Sequence, residues 1–307
     1  MELRVESLIE RPAGERRRAV AIGNFDGVHL GHRRLIEACL LAGRQARLTP
    51  TALTFDPHPS SVVSERGAPP RIQTLTSRRR SLRDAGIEDL IELRFDKVVA
   101  DLSPKEFVDQ ALIEGVQASC VVVGHGFRFG ARRAGDVSAL RTLGRGCFDV
   151  IEVPTLEDAG ERVSSSRIRA ALLRGDLEEA RRFLGRPYEI EGLVVHGDHR
   201  GRKIGFPTAN VDLEGVAALL PGVYAADGFI EGETQPRRAA VNLGVRPTFG
   251  GEEPRLEAHF NGLDRDLYGQ MLRLIFRTRL RDERRFDSLD DLKAQLEADV
   301  RAAAQTG

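Results

Sequence analysis

The stretch AIGNFDGVHLGH, residues 21–32, decides how the first half of the chain is read. An apolar run stops at a glycine, two histidines flank another glycine, and a helical pattern starts beside the second histidine. Unpaired N–H groups and partial positive charge gather where a strand turns into a helix, so a phosphate is easily held there. His29 and His32 can each donate a hydrogen bond at that point and, when protonated, offset charge developing on a phosphate during in-line displacement. No covalent nucleophile from the protein is needed.

Working outward, RAVAIG is followed by a helical pattern over residues 31–45, then RLTPTALTF, a Pro-rich loop, a helix near 77–86 and DLIELRF. SPKEFVDQALIEGV follows, with Ser103 and Pro104 as its helix start, and then ASCVVVG and CFDVIEV. Strands separated by helices predict crossover connections and a mostly parallel sheet covered on both faces, a Rossmann-like α/β layout. Ligands of such sheets bind at the carboxyl ends of the strands, and AIGNFDG, LTFDPHP and VVVGHGFRFG each place Gly, Asp or His there. After about Arg182 the pattern changes to short β-type runs separated by Gly, Pro or Asp, ending in a helix over SLDDLKAQLEADVRAAA. That predicts an antiparallel β-barrel with a C-terminal helix. The boundary falls between Gly185 and Arg186, giving domains 1–185 and 186–307.

Composition bounds the function. The chain has 307 residues, 41% of them hydrophobic, enough for two cores. Apolar runs of the ~18 residues needed to span a membrane are missing, and the N-terminus lacks a signal peptide's apolar core, so the expectation is a cytoplasmic protein without a membrane role. Formal net charge is zero, which argues against a nonspecific nucleic-acid binder, since that affinity comes from excess cations. The arginine runs 16–18 and 78–80 read as solvated faces. Cys39, Cys120 and Cys147 are widely separated in apolar surroundings and read as reduced core thiols.

In the second half, GLVVHGDHRGRKIGFPTANV, residues 192–211, is the informative stretch. Gly197, Gly201 and Gly205 allow close backbone approach to a ligand, while Arg200, Arg202 and Lys203 bring cations suited to polyphosphate. It is not a Walker A loop, because GKS or GKT is missing. Thr208 and Asn210, two apart on an extended strand, point to one face, and two neutral oxygens fit Mg2+ whose charge is balanced mainly by nucleotide phosphates.

GNFDGVHLGHRRLI, TFDPHP, VVVGHGFRFGARRAGD and VSSSRIR, in that order, resemble the adenylyltransferase half of bacterial bifunctional riboflavin kinase/FAD synthetases. GLVVHGDHRGRKIGFPTAN, VNLGVRPTFGG, LEAHF, DLYG and RDERRFDSLDDLKAQL resemble the riboflavin kinase half. The resemblance implies a flavin-nucleotide enzyme: riboflavin is phosphorylated by ATP to FMN in the second domain, and FMN is adenylylated by ATP to FAD in the first, releasing pyrophosphate. It places His29, Gly31 and His32 on the HxGH signature, with Gly23 and Phe25 beside them on ATP. Ser165, Ser166 and Arg169 fall on the ISSTxxR signature, where serines open a helix and an arginine meets the departing pyrophosphate. It gives Gly197, Gly201, Lys203 and Gly205 to the kinase ATP, Thr208 and Asn210 to its Mg2+, and Glu257 to the base. Asp56, Gly126 and Arg285 fall to the flavin. Small-molecule substrates are implied and an obligate protein partner is not. Two departures stand out: Asn261–Gly262 replace an apolar–acidic pair, and Gly126 stands where the family usually carries Asp or Asn. The alternative reading is a monofunctional riboflavin kinase with a degenerate flavin-binding first domain.

Overall fold

A computed structural model describes residues 5–7, 17–197, 205–248, 251–263 and 265–306. Its contacts divide the chain into two compact units, one comprising residues 1–69 and 78–164, the other residues 70–77 and 165–307.

The first unit is built on β1 (Val5–Ser7), β2 (Arg18–Ile22), β3 (Thr49–Asp56), β4 (Asp89–Arg94), β5 (Ala118–Gly124) and β6 (Asp149–Val153). They lie in the order β1-β4-β3-β2-β5-β6, and only β1 runs antiparallel to its neighbour. Parallel strands need long crossovers, and the helices that supply them cover the faces, so the inner strands β2–β5 are buried almost throughout, with Val20, Leu53, Leu90 and Val121 all 0% exposed, while β6 leaves Ile151 37% exposed. From β2 the chain moves one way to β3 and β4, and then returns to lay β5 and β6 on the other side of β2. The switch point therefore lies between β2 and β5, beside the loops after Ile22 and Gly124, where ligands of open α/β sheets bind. Ser103 and Glu106 form the reciprocal cap expected at the helix Pro104–Glu106, which continues as a π-helix over Phe107–Gly115.

Two readings from composition need correction. The arginine runs are not merely solvated faces. Arg18 Nε bonds Asp89 at 3.0 Å, and Arg78 and Arg79 both bond the buried carboxylate of Glu92, at 2.9 and 2.7 Å. Burial pushes the Glu92 carboxyl up, but hydrogen bonds and charge from Arg79 and Arg78 outweigh that and hold it below its ordinary value. The three thiols also differ: Cys39 and Cys120 are buried, and desolvation pushes each up to about 11, whereas Cys147 is exposed. Cys147 follows the Gly144–Gly146 turn and so misses the core.

β7 (Glu157–Asp158) and β8 (Glu161–Arg162) form a small hairpin. The second unit is a closed barrel of β9 (Glu189–Val195), β10 (Ala209–Val211), β11 (Gly222–Ile230), β12 (Arg237–Thr248), β13 (Gly251–Phe260) and β14 (Met271–Arg281). Every pairing is antiparallel, in the order β10-β13-β12-β11-β14-β9. Side chains alternate in and out: Ala209, Val241, Leu243, Leu256, Ala258, Leu272 and Leu274 are buried, while the residues between them face outward. The C-terminal helix Leu289–Gln305 is capped by Ser288, packs on β11, β12 and β14, and buries Asp299 in a two-pronged pair with Arg281 at 2.9 and 2.6 Å. Residues 70–77 join this unit through side chains: Tyr188 donates to the Ile72 carbonyl at 2.8 Å, and Thr74 donates to that of Glu191 at 2.6 Å.

Candidate active sites

In the first unit the HxGH turn is organised around one hydrogen bond. His29 caps the helix Leu30–Ala46, its Nδ1 accepting from the backbone N–H of His32 at 3.2 Å. An accepting Nδ1 carries no proton, so the neutral ring holds its hydrogen on Nε2. The two imidazoles lie stacked, centroids 3.6 Å apart and 16° from parallel. Gly31 makes that stack possible: a Cβ there would stand 3.1 and 3.2 Å from His29 ring atoms. The Val163 carbonyl lies 3.5 Å from the same point, so the segment leading into the serine run passes alongside the turn.

Phe25, expected beside ATP, has its side chain wholly in the core, with φ +50°. Its ring lies 5.2 Å from that of His32, so it supports the histidine from beneath, and a Cβ on Gly23 would press on it at 3.3 Å. The loops after β2 and β3 are joined by Asn24 and His58, 3.1 Å apart. Asp56 is the last residue of β3, at that strand's carboxyl end. Gly126 follows β5 with φ +76° and open space where a side chain would begin. Its neighbour His125 is held by Glu152 at 2.9 Å, and Glu152 is shared with Arg141 at 3.3 Å.

Ser165 and Ser166 open the helix Ser165–Leu173, and Arg169 stands one turn further on. The contact division groups these with the second unit, where Arg169 Nε donates to the Pro70 carbonyl at 2.7 Å.

In the barrel the site is a row across strands. Asn210 on β10 pairs with Glu257 on β13, and Glu257 pairs with Asn242 on β12. Direct cross-strand partners share a face, so the three polar side chains stand side by side on the outer surface. Asn210 is only 8% exposed, and its Oδ1 is buried without a hydrogen-bond partner among the described residues. Such an oxygen costs free energy unless a ligand meets it. Gly197 lies against it, a Cβ there falling 2.3 Å from Asn210 Nδ2 and 2.6 Å from Oδ1. Among the described residues no cluster of three His, Cys, Asp or Glu side chains could hold a metal. A cation here would rely on neutral oxygens and on a ligand's own charge, which is what Thr208 and Asn210 offer. A pocket opens over them, bounded also by Pro207, Phe260, Asp266 and Tyr268, and the His196 ring packs on Tyr268 at 3.9 Å. Arg255 Nη1 stands 3.6 Å from the Glu257 carboxylate.

Gly201 and Lys203 lie outside the described residues, as do Arg200 and Arg202; Gly205 is described and has φ +89°. Arg285 is exposed, and it is Arg284 and Arg281 that lie over the Phe286 ring, at 4.7 and 6.0 Å. Sequence reasoning missed Asn242, which only strand register reveals, and Arg255 and His259, which alternation about Glu257 could have marked.

Residues 11–167 match the FAD synthetase family model, and residues 184–306 match the riboflavin kinase family model. The chain is 39% identical over 287 residues to the bifunctional riboflavin kinase/FMN adenylyltransferase of Escherichia coli K12, covering 93% of this chain and 91% of that one. It is 37% identical over 289 residues to the protein of the same description from Bacillus subtilis, covering 92% and 90%. A crystal structure described as a macrolide-efflux protein from Streptococcus pneumoniae superposes with a TM-score of 0.78 at 34% identity over 95% of each chain. Among the described residues no helix is long and apolar enough to cross a membrane. Two family models in tandem and relatives alike over nine-tenths of both chains establish that the chain belongs to the bifunctional riboflavin kinase/FMN adenylyltransferase family.

Proposed function

We propose that the protein makes FMN from riboflavin and ATP on its barrel, within residues 186–307, and FAD from FMN and a second ATP at the switch point of its parallel sheet, within residues 1–185. The observation that carries the reading is the buried, unpartnered Oδ1 of Asn210 in register beside Glu257.

In the kinase reaction the Glu257 carboxylate accepts the proton of the riboflavin 5′-hydroxyl as its oxygen bonds the γ-phosphorus, and ADP leaves. Thr208 Oγ1 and Asn210 Oδ1 would hold Mg2+, which when bound neutralises phosphate charge. Gly197 and Gly205 line the phosphates, and the resemblance gives the same role to Gly201 and Lys203. In adenylyl transfer an FMN phosphate oxygen bonds the α-phosphorus of ATP and pyrophosphate departs. His29 and His32 donate to the phosphates, supported by Phe25, with Gly31 and Gly23 giving the backbone room. Ser165, Ser166 and Arg169 receive the pyrophosphate, and Asp56 and Gly126 border the FMN. Arg285 borders the flavin of the kinase site. The protein works in the cytoplasm on small molecules, with no obligate protein partner.

The test is the time course of products from riboflavin, ATP and Mg2+. FMN should rise first and FAD follow, with pyrophosphate released in step with FAD. FMN formation without any conversion of supplied FMN to FAD would instead favour the monofunctional alternative.

A further inference from the structure

Two residues beyond Glu257 on β13 stands His259, whose Nδ1 lies 2.8 Å from the Pro207 carbonyl oxygen. A carbonyl only accepts, so Nδ1 is the protonated nitrogen and the tautomer is set. Pro207 immediately precedes Thr208. The ladder between β10 and β13 starts at Ala209↔Ala258, so neither Pro207 nor Thr208 belongs to it. The imidazole bond extends the link between these strands two residues past the last paired position. The Phe206 ring packs on the same imidazole at 5.3 Å. One side chain of the strand that carries Glu257 thus holds the segment that leads into Thr208.

We propose that His259 is a positioning residue for phosphoryl transfer: through Pro207 it sets the distance between the oxygens of Thr208 and Asn210 and the carboxylate of Glu257. The proposal rests on the kinase reading above. Geometry of this kind matters because the chemistry asks little of the protein beyond orientation and charge neutralisation, and a small misplacement lowers the rate steeply. His259 itself meets neither substrate nor proton in this scheme.

The test compares His259→Leu, which removes the donor, with His259→Asn, whose amide nitrogen takes the place of Nδ1. In the full-length protein, riboflavin phosphorylation is followed across Mg2+ concentrations, ADP binding is measured by calorimetry with and without Mg2+, and conversion of FMN to FAD serves as internal control. His259→Leu should lower kcat roughly tenfold or more, the order expected from losing one orienting hydrogen bond. It should also raise the Mg2+ concentration at half-maximal rate and lose most of the Mg2+-dependent gain in ADP affinity. His259→Asn should restore both. In a Thr208→Val background, His259→Leu should cause little further loss, because the effect passes through Thr208. The proposal is overturned if the leucine variant shows only a lower Tm with unchanged Mg2+ dependence, or if asparagine is no better than leucine. Should the leucine variant not fold, asparagine against glutamine decides: asparagine should exceed glutamine, whose amide reaches the position of Nε2 instead. Failure of the kinase reading itself would look different, since Glu257→Gln would then make FMN normally and wild-type ADP binding would ignore Mg2+.

Discussion

Gly197→Ala is the sharpest perturbation the proposed kinase site offers. The added methyl would lie 2.3 Å from Asn210 Nδ2, 2.5 Å from Cγ and 2.6 Å from Oδ1, about 1 Å inside ordinary contact. Moving the backbone away is opposed by the pairing of Val195 with Asn210, so the amide must turn or the strands must part. Overpacking of this kind costs about 1–3 kcal/mol of stability. Turning the amide also misdirects Oδ1, and losing one polar contact to a charged ligand costs about 1.5–3 kcal/mol, or roughly 10- to 150-fold in rate. The assay is the initial rate of FMN formation against Mg2+ concentration, with conversion of supplied FMN to FAD as control. Kinase kcat/KM should fall by that factor while FAD formation holds. Asn210→Ala removes the clashing group, so adding Gly197→Ala to it should cost much less kinase activity than Gly197→Ala costs alone. A folded Gly197→Ala variant with a normal rate and normal Mg2+ dependence would refute the placement of Asn210 in the site.

Glu257→Gln should lower FMN formation by about 100-fold or more, as expected on losing a general base, and leave supplied FMN convertible to FAD; separating the products by chromatography checks both. His29→Ala or His32→Ala should lower FAD formation by about 100-fold through loss of a preorganised donor, with kinase rates as the comparison. Glu92→Gln leaves Arg78 and Arg79 without their buried carboxylate and should cost about 3 kcal/mol in denaturant unfolding. Because the folded carboxyl of Glu92 is held below its ordinary value, its stabilisation is complete above the unfolded value of about 4.3 and is lost as pH falls through the folded one. Wild-type and Glu92→Gln midpoints should therefore converge in acid. Gly126→Asn should fit, since φ is +76° and nothing lies within 4 Å, and should speed FAD formation about tenfold by adding a polar contact to the substrate; no gain would remove Gly126 from the flavin site.

The fold was largely legible because period and punctuation survive in one dimension. Buried runs such as RAVAI and ASCVVV, separated by helical patterns, allow little but a parallel sheet, and the short alternating runs after residue 185 allow little but an antiparallel one. Residues 70–77 were not legible. Residues 70–76 read as part of a Pro-rich loop and Ser77 as the start of the helix after it, and their place in the barrel unit depends on partners such as Tyr188 and Glu191, more than 110 positions away. The arginine runs misled for the same reason: a charge run looks solvated until register brings Asp89 or Glu92 beside it.

The two candidate sites differ in how much of each the sequence carried, and the cause is local against nonlocal geometry. In the HxGH turn the cap, the ring stack and the need for glycine are set by four consecutive residues, His29 to His32, so the motif carries its own geometry. On the barrel each strand contributes one or two side chains, and their meeting depends on pairing. Thr208 and Asn210 were visible as an alternating pair, but Asn242 reaches Glu257 only because β12 and β13 align at that register. A one-residue slip of β13 would turn Glu257 into the barrel and bring Ala258 out, exchanging a carboxylate for a methyl in the row. The buried Val241, Leu243, Leu256 and Ala258 oppose that slip, since it would expose apolar side chains on one face while burying charge on the other. The interior packing of the barrel is thus what holds Glu257 beside Asn210 on the outside. Changes to the core should register in kinase kcat before the barrel as a whole gives way.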